Sequence, residues 1–193
     1  MGNKVSHRST SSKFLRSQAQ QAPKASEAPP SWHRVMSGFY QTTNENFGPW
    51  AARFLDDKFF TEAAELAGEL IVYAAALKPP STEPVALSFL VTDGKHWVGR
   101  YWGASEYFPD LHFNLCYYAP LAQLLETGGE SFDPGMGSPH KVRRGFIPFP
   151  SESWHWGATK LSDKVFRYNF PRLNIQAQQE MDFMASGNFH GDP

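Results

Sequence analysis

The stretch Val85-Ala-Leu-Ser-Phe-Leu-Val-Thr-Asp-Gly-Lys-His-Trp-Val-Gly-Arg-Tyr-Trp102 decides how the rest of the chain is read. Two β-favouring runs, Val85 to Val91 and His96 to Trp102, flank Asp93–Gly94. Asp-Gly supplies the positive-φ positions of a tight turn and is among the strongest short-range hairpin signals. Upstream, the apolar run Leu70 to Leu77 stops at Lys78-Pro79-Pro80 and has the length of a buried strand. Together the three segments predict the antiparallel centre of a sheet. Strict alternation along the second hairpin arm puts His96, Val98, Arg100 and Trp102 on one face, which directs Arg100 into a cleft. The pairs Trp97/Tyr101 and Trp102/Tyr118 are expected as core or cleft walls.

Toward the N-terminus, Ser31 is expected to cap a helix that carries Val35, Met36, Phe39, Tyr40, Thr43 and Phe47 and stops at Gly48–Pro49. A second helix from Asp56/Asp57 to Gly68 is expected to bury Phe59, Phe60, Ala63, Leu66 and Ala67. Toward the C-terminus, Leu111 to Tyr118 reads as a strand. His112, Asn114, Cys116 and Tyr118 then share one face, and Leu111, Phe113, Leu115 and Tyr117 the other. Pro120 fits the first position of a helix that ends at Gly128–Gly129. A short strand at Phe132, a strand from Ser153 to Trp156 and a Pro-interrupted helical tail (Val165 to Phe170, then Leu173, Ala177, Met181, Met184) close the domain. The expected fold class is α/β (α+β), a mixed, largely antiparallel sheet flanked by helices.

The 193 residues suit one domain with a tail. A single cysteine excludes an internal disulfide framework and points to a reducing compartment. No run approaches the roughly eighteen apolar residues of a membrane span. The net charge of −1 argues against a nucleic-acid coat, yet it hides a split. Residues 1–30 carry Lys4, Arg8, Lys13, Arg16 and Lys24 against Glu27 alone, and of the aromatics only Phe14 precedes Trp32. The expected organisation is a disordered basic arm over residues 1–30, a globular domain over 31–187 and a disordered tail over 188–193.

The densest chemical signal is Gly135-Met-Gly-Ser-Pro-His-Lys-Val-Arg-Arg-Gly-Phe146. Ser138 can cap a helical turn that begins at Pro139, approached by a loop containing Gly135 and Gly137. Lys141 and Arg144 are three apart and share a helical face, so they can grip one phosphate or carboxylate. His140 beside them can exchange a proton near neutral pH. Asp133 at the edge of the loop can orient His140 or cap the turn at Pro134–Gly135. A surface basic turn is the plain alternative for this segment. On the predicted strand His112 and Cys116 could contribute to a metal site with His140 or His155, or form a base–nucleophile pair. No paired Cys/His spacing matches a zinc site, and no metal is expected.

Several runs together resemble a known family: Asn46-Phe-Gly-Pro-Trp50, Gly99-Arg-Tyr-Trp-Gly103, Leu111-His-Phe-Asn-Leu-Cys-Tyr-Tyr118, Phe132-Asp-Pro-Gly-Met-Gly-Ser-Pro-His-Lys-Val-Arg-Arg-Gly-Phe146, and His155. Over residues 34–185 the chain is similar to the predicted N-acyltransferases of the peptidoglycan biosynthesis/recognition family, distant relatives of the Fem aminoacyltransferases. The resemblance implies a GNAT-like sheet and transfer of an acyl or aminoacyl group to an amine. It also implies that Arg100, His112, Tyr117, Tyr118, His140, Lys141, Arg144 and Phe146 line the cleft, and that the chain corresponds to the second half of a tandem whose first half-domain is missing here. Tyr118-Ala-Pro-Leu, the predicted strand-to-helix junction, lacks the Gly-x-Gly/Ala loop with which GNAT enzymes cradle CoA pyrophosphate. Aminoacyl-tRNA therefore stands beside acyl-CoA as the phosphate-bearing co-substrate. No tightly bound cofactor is expected.

The mechanism expected on this reading gives Lys141 and Arg144 to the donor phosphate or the developing oxyanion, His140 to proton transfer and Asp133 to orienting it. Gly135 and Gly137 form the approach loop, and the acceptor is a small-molecule or peptide amine. Two alternatives are a truncated binding module that keeps the pocket without catalysis, and an adaptor anchored through the basic arm. Met1-Gly2-Asn3-Lys4-Val5-Ser6 fits the myristoylation pattern, with Gly2 as acceptor. The expected location is the cytoplasm, or an organelle if the Ser-rich arm acts as a transit peptide.

Overall fold

Three apolar runs punctuated by Pro79–Pro80 and Asp93–Gly94 form the strands β1 (Ile71–Leu77), β2 (Pro84–Thr92) and β3 (His96–Ala104). The computed structural model describes residues 22–51, 54–136 and 139–186, with the side chain of Trp50 excepted. Gly2, Gly137, Ser138 and the expected tail at 188–193 lie outside the described residues. Two compact units emerge, residues 1–135 and residues 136–193.

In the first unit a four-stranded sheet has the order β1-β2-β3-β4, where β4 is Ser131–Asp133. β1/β2 and β2/β3 are antiparallel, as expected, whereas β3/β4 is parallel. The mixed, mostly antiparallel sheet with flanking helices is the arrangement of a GNAT-like fold. Asp93 Oδ1 closes the hairpin by accepting the N–H groups of Lys95 (2.9 Å) and His96 (2.7 Å), and these bonds hold its carboxyl below the ordinary range.

Period-two alternation builds a core on each face of the sheet. Tyr73, Ala75, Leu87 and Phe89 meet Trp32, Met36 and Tyr40 of α1 (Pro30–Glu45) and Phe60 of α2 (Phe59–Ala67). The aromatic rings meet edge-on, with Tyr40–Tyr101 at 5.0 Å and Phe60–Phe89 at 5.4 Å. Each such contact adds about 0.5–1.5 kcal/mol beyond burial. On the opposite face Val72, Ala74, Ala86, Leu90 and Trp97 pack against Leu111, Leu115 and Leu124.

A β-bulge interrupts β3. Phe89 pairs with Tyr101 and Leu90 with Gly99, so Arg100 is the extra residue. The insertion overturns the strict alternation expected here, because a one-residue shift exchanges the faces of everything beyond it. Trp97, not His96 or Val98, enters the second core, while Tyr101 packs on the first. Trp97 and Tyr101 are therefore core residues on opposite faces rather than a pair.

Parallel strands cannot be joined by a tight turn and need a crossover of a dozen or more residues. Residues 105–130 supply it, and this overturns the strand expected at Leu111 to Tyr118. The segment is helical throughout: α3 (Leu111–Phe113), a π-helical turn (Asn114–Tyr118) and α4 (Ala119–Glu126) follow without a break. Leu111, Leu115 and Leu124 therefore face the sheet at helical spacing. Pro120 is buried and lies in the first turn of α4, as expected, and α4 ends at Glu126 just before the left-handed Gly128; what differs is that the π turn runs into it without a break. The Ala119 N–H reaches back to the Asn114 carbonyl, five residues away. The wider π turn just before Pro120 relieves the clash that a proline ring makes with the carbonyl four residues earlier.

Four smaller expectations are also corrected. α1 begins at Pro30 after Pro29, and Ser31 is not its cap, because proline preset at the first helical position needs no N–H partner. Leu66 on α2 is exposed, and Ala64 is buried instead. The end of the basic arm joins the fold: Ala25 and Ala28 are buried in the first core. Lys24 forms an antiparallel bridge with Val72 and an ion pair with Glu69, which covers part of the outer edge of β1. Finally, Ser153 to Trp156, in the second unit, is not a strand, and both of its tryptophans are exposed.

The second unit contains the one-turn helix α5 (Pro139–Val142) and the long helix α6 (Lys160–Ser186). Thr159 and Ser162 cap α6 reciprocally, each backbone N–H donating to the other's hydroxyl (3.0 and 3.1 Å). α6 continues through Pro171, and none of its residues is fully buried.

Candidate functional site

The π turn decides which side chains of the crossover meet. Residues five apart point in different directions on an α-helix, but a π turn brings them toward one side. His112 and Tyr117 lie 5.5 Å apart, ring to ring, and Phe113 stacks on Tyr117 at 6.0 Å. Trp102 of β3 completes the group, 4.6 Å from His112. Tyr117 is buried, His112 and Phe113 are half-buried, and Tyr118 is exposed. The structure thus brings His112 and Tyr117 together with Trp102 and Phe113, and leaves Tyr118 outside the ring cluster. Phe113 was missed in the sequence because a strand puts it on the face opposite His112. Its signal was Pro120, a few residues downstream of an aromatic run.

Beside this cluster lies the Gly99-Arg-Tyr-Trp-Gly103 run. Arg100, the bulged residue, is exposed, with its guanidinium 5.9 Å from the Tyr101 ring centroid. Gly103 is required by close packing, since a Cβ there would sit 2.4 Å from Phe39 Cβ and 2.8 Å from the Phe39 carbonyl oxygen. β4 pairs with β3 only over His96–Val98, after which the chain turns away at Pro134–Gly135. β3 runs on from Gly99 to Ala104 with no strand beside that edge among the described residues. Thr43 Oγ1 donates to the Trp102 carbonyl at 3.0 Å. Asp133 Oδ1 accepts the Gly135 N–H at 2.8 Å, the turn-capping role of that carboxylate, and Gly135 has φ +86°.

The strand-to-helix junction of this unit is therefore not Tyr118-Ala-Pro-Leu. It is the segment after Ala104, Ser105-Glu-Tyr-Phe-Pro-Asp110, which holds two acids and no glycine. Pro120 is buried within the crossover and offers no helix start to a phosphate.

In the second unit, His140 to Phe146 form one closed structure. The Phe146 N–H bonds to the Lys141 carbonyl (3.2 Å) and the Gly145 N–H to the Val142 carbonyl (2.9 Å), with Gly145 at φ +90°. This is a Schellman cap, and it gives the Lys-x-x-x-Gly-Phe spacing a physical reason: the left-handed residue must fall four after the lysine. Arg144 Nη1 donates to the His140 carbonyl at 2.7 Å, and Lys141 Nζ donates to the Met136 carbonyl. Burial first, then the Lys141 and Arg144 charges, lower the His140 pKa from its ordinary value. No acid occurs between Asp133 and Glu152, so the turn is uniformly basic.

A cleft of about 180 Å³, lined by Ala22, Ala75, Leu115, Ala119, Ala122, Gln123 and Glu126, contains none of the candidate residues. It is smaller than the roughly 300–1,000 Å³ usual for ligand sites. Among the described residues no group of three or more His, Cys, Asp or Glu is placed to hold a metal ion, and no helix is long and apolar enough to cross a membrane.

No curated protein and no solved structure matches the chain. The family model for FemAB-like proteins of peptidoglycan biosynthesis/recognition does match, over residues 10–189. That span takes in the bulged strand, the π-turned crossover and the capped basic turn, and the chain belongs to this family.

Proposed function

We propose that this protein is an N-acyltransferase that moves an acyl or aminoacyl group from a phosphate-bearing donor, acyl-CoA or aminoacyl-tRNA, to an amine. The observation that carries this reading is the short parallel pairing of β3 and β4. It ends at the bulge, and among the described residues no strand lies beside the Gly99–Ala104 edge of β3, next to Trp102, His112 and Tyr117. A strand edge of this kind suits an extended donor arm, which can add to it as a peptide does in strand addition. FemAB-like membership supports an acyltransferase-related role in peptidoglycan biosynthesis.

The acidic, glycine-free segment at residues 105–110 is poorly suited to a phosphate, whereas the basic turn at His140–Phe146 is well suited to one. Lys141 and Arg144 are accordingly assigned to the donor phosphate, as a point charge and a planar fork respectively. His140, whose pKa burial and the neighbouring Lys141 and Arg144 charges lower, can accept the proton that the neutral amine nitrogen sheds as it attacks the donor carbonyl, and pass it to the leaving group as that bond breaks. Arg100, His112, Tyr117, Tyr118 and Phe146 are assigned to substrate contact. Gly135 and Gly137 are assigned to the approach loop, and Asp133 to shaping its turn.

The test is transfer by the purified chain from acyl-CoAs and from aminoacyl-tRNAs to amine acceptors, followed by product mass. The expected result is product with one donor class and a Lys141→Ala variant that binds this donor at least about tenfold more weakly. Binding and turnover of neither donor class would sink the reading.

A further inference from the structure

The two sides of α6 have different surroundings. On one side Phe166 and Phe170 stack at 5.6 Å, and His155 packs on both rings, at 6.3 and 5.8 Å. On the opposite side Leu161, Val165, Tyr168, Arg172, Ile175 and Gln179 follow one another at alternating steps of four and three, which makes one continuous face. Its apolar members Leu161, Val165, Tyr168 and Ile175 are each more than half exposed, Tyr168 by 84 %.

Charge on this face says what kind of surface covers it. Lys164 lies one turn before Tyr168 and Arg172 one turn after it, so two cations stand among the exposed apolar side chains. Lys160 and Arg167 flank them. Between Lys160 and Gln179 the one acid is Asp163, which lies on the Phe166/Phe170 side and pairs with Arg167 at 2.7 Å. Asp182, two turns beyond Ile175, is the first acid on the exposed face. A nucleic-acid backbone would neutralise the cations and leave Leu161, Val165 and Ile175 in water. A second copy of this face carries the same excess of cations. An anionic lipid surface takes both kinds of side chain. The aliphatic groups enter the acyl boundary, lysine and arginine stems carry their charges out to the headgroups, and a tyrosine suits the boundary itself.

We propose that α6 docks on an anionic lipid bilayer, with Leu161, Val165, Tyr168 and Ile175 in the interface and Lys164 and Arg172 on the lipid phosphates. The proposal is independent of the acyltransferase reading, and no transfer assay enters its test. The full chain is sedimented with vesicles of phosphatidylcholine alone and with vesicles containing about one-third phosphatidylglycerol. Binding is expected on the anionic vesicles and at least about tenfold more weakly on the neutral ones. Lys164→Gln/Arg172→Gln is expected to weaken binding about thirtyfold. Leu161→Gln/Ile175→Gln is expected to weaken it at least about tenfold. All four side chains are exposed and glutamine is a good helix former, so far-ultraviolet circular dichroism is expected to match the wild type. A wild-type chain that stays in the supernatant with anionic vesicles overturns the proposal. So does binding indifferent to the aliphatic pair, which is adsorption by charge alone. Retention on RNA without retention on vesicles overturns it in favour of nucleic acid. Lipid-free self-association lost in the aliphatic pair, with vesicle binding intact, overturns it in favour of a second copy.

Discussion

His33 lies on the buried side of α1, and its Nδ1 shares a hydrogen bond of 3.1 Å with the Tyr73 hydroxyl. Burial lowers the imidazole pKa below 6.5, with partial opposition from the Glu65 carboxylate, and burial raises the Tyr73 phenol. Above pH 6.5 the imidazole is neutral in both states and its contribution to stability is complete. As the pH falls through 6.5 toward the lower folded value, the unfolded chain takes up the proton first and stability is lost. Denaturant titrations should therefore show stability decreasing from pH 7 to about pH 5, with a shallower slope in His33→Gln. At Gly103 the constraint is steric instead. A methyl group 2.8 Å from the Phe39 carbonyl oxygen cannot be relieved by a rotamer change. Gly103→Ala should cost about 1–3 kcal/mol in thermal or chemical unfolding. Gly145 is constrained by its φ of +90°, so Gly145→Ala should strain the Schellman turn by about 1 kcal/mol and weaken donor binding in the transfer assay.

At the scale of elements, the bulge in β3 and the π turn in the crossover are single-residue irregularities with long reach. Arg100 shifts the register so that Trp97 is buried and His96 exposed. Deleting Arg100 should restore strict alternation, turn Trp97 out of the second core and abolish cooperative melting. Arg100→Gly should leave melting close to wild type, because the residue is exposed and only its presence in the backbone matters. Neither irregularity was legible in the sequence. A bulge shows only against a partner strand, and the alternation of Leu111 to Tyr118 was compatible with a strand until the need for a crossover was known. The hairpin was legible, since Asp93–Gly94 carries its turn chemistry locally.

At the scale of the molecule, both cores are assembled from residues of the first unit. A chain ending at Gly135 should therefore melt cooperatively, within a few degrees of the full chain, as followed by near-ultraviolet circular dichroism. A truncated chain with no melting transition would show that the second unit is needed for the fold. The basic arm belongs partly to this scale as well. Composition separates it from the body, but Ala25, Ala28 and Lys24 are bound into the first core and the edge of β1.

The sequence by itself determined what depends on neighbours along the chain: the three antiparallel strands, the proline start of α5 and the basic, acid-free turn around Lys141. It also carried the family resemblance, since the spaced motifs are matched by the FemAB-like family over residues 10–189. The tertiary structure decided what depends on pairing across the chain. Parallel pairing of Ser131–Asp133 with His96–Val98 made Leu111 to Tyr118 a helix, because a parallel strand must be reached by a crossover. One extra residue opposite Leu90 decided which aromatic side chains are buried and which face the candidate site. Local propensity encodes turns and caps, whereas register and face depend on the whole sheet.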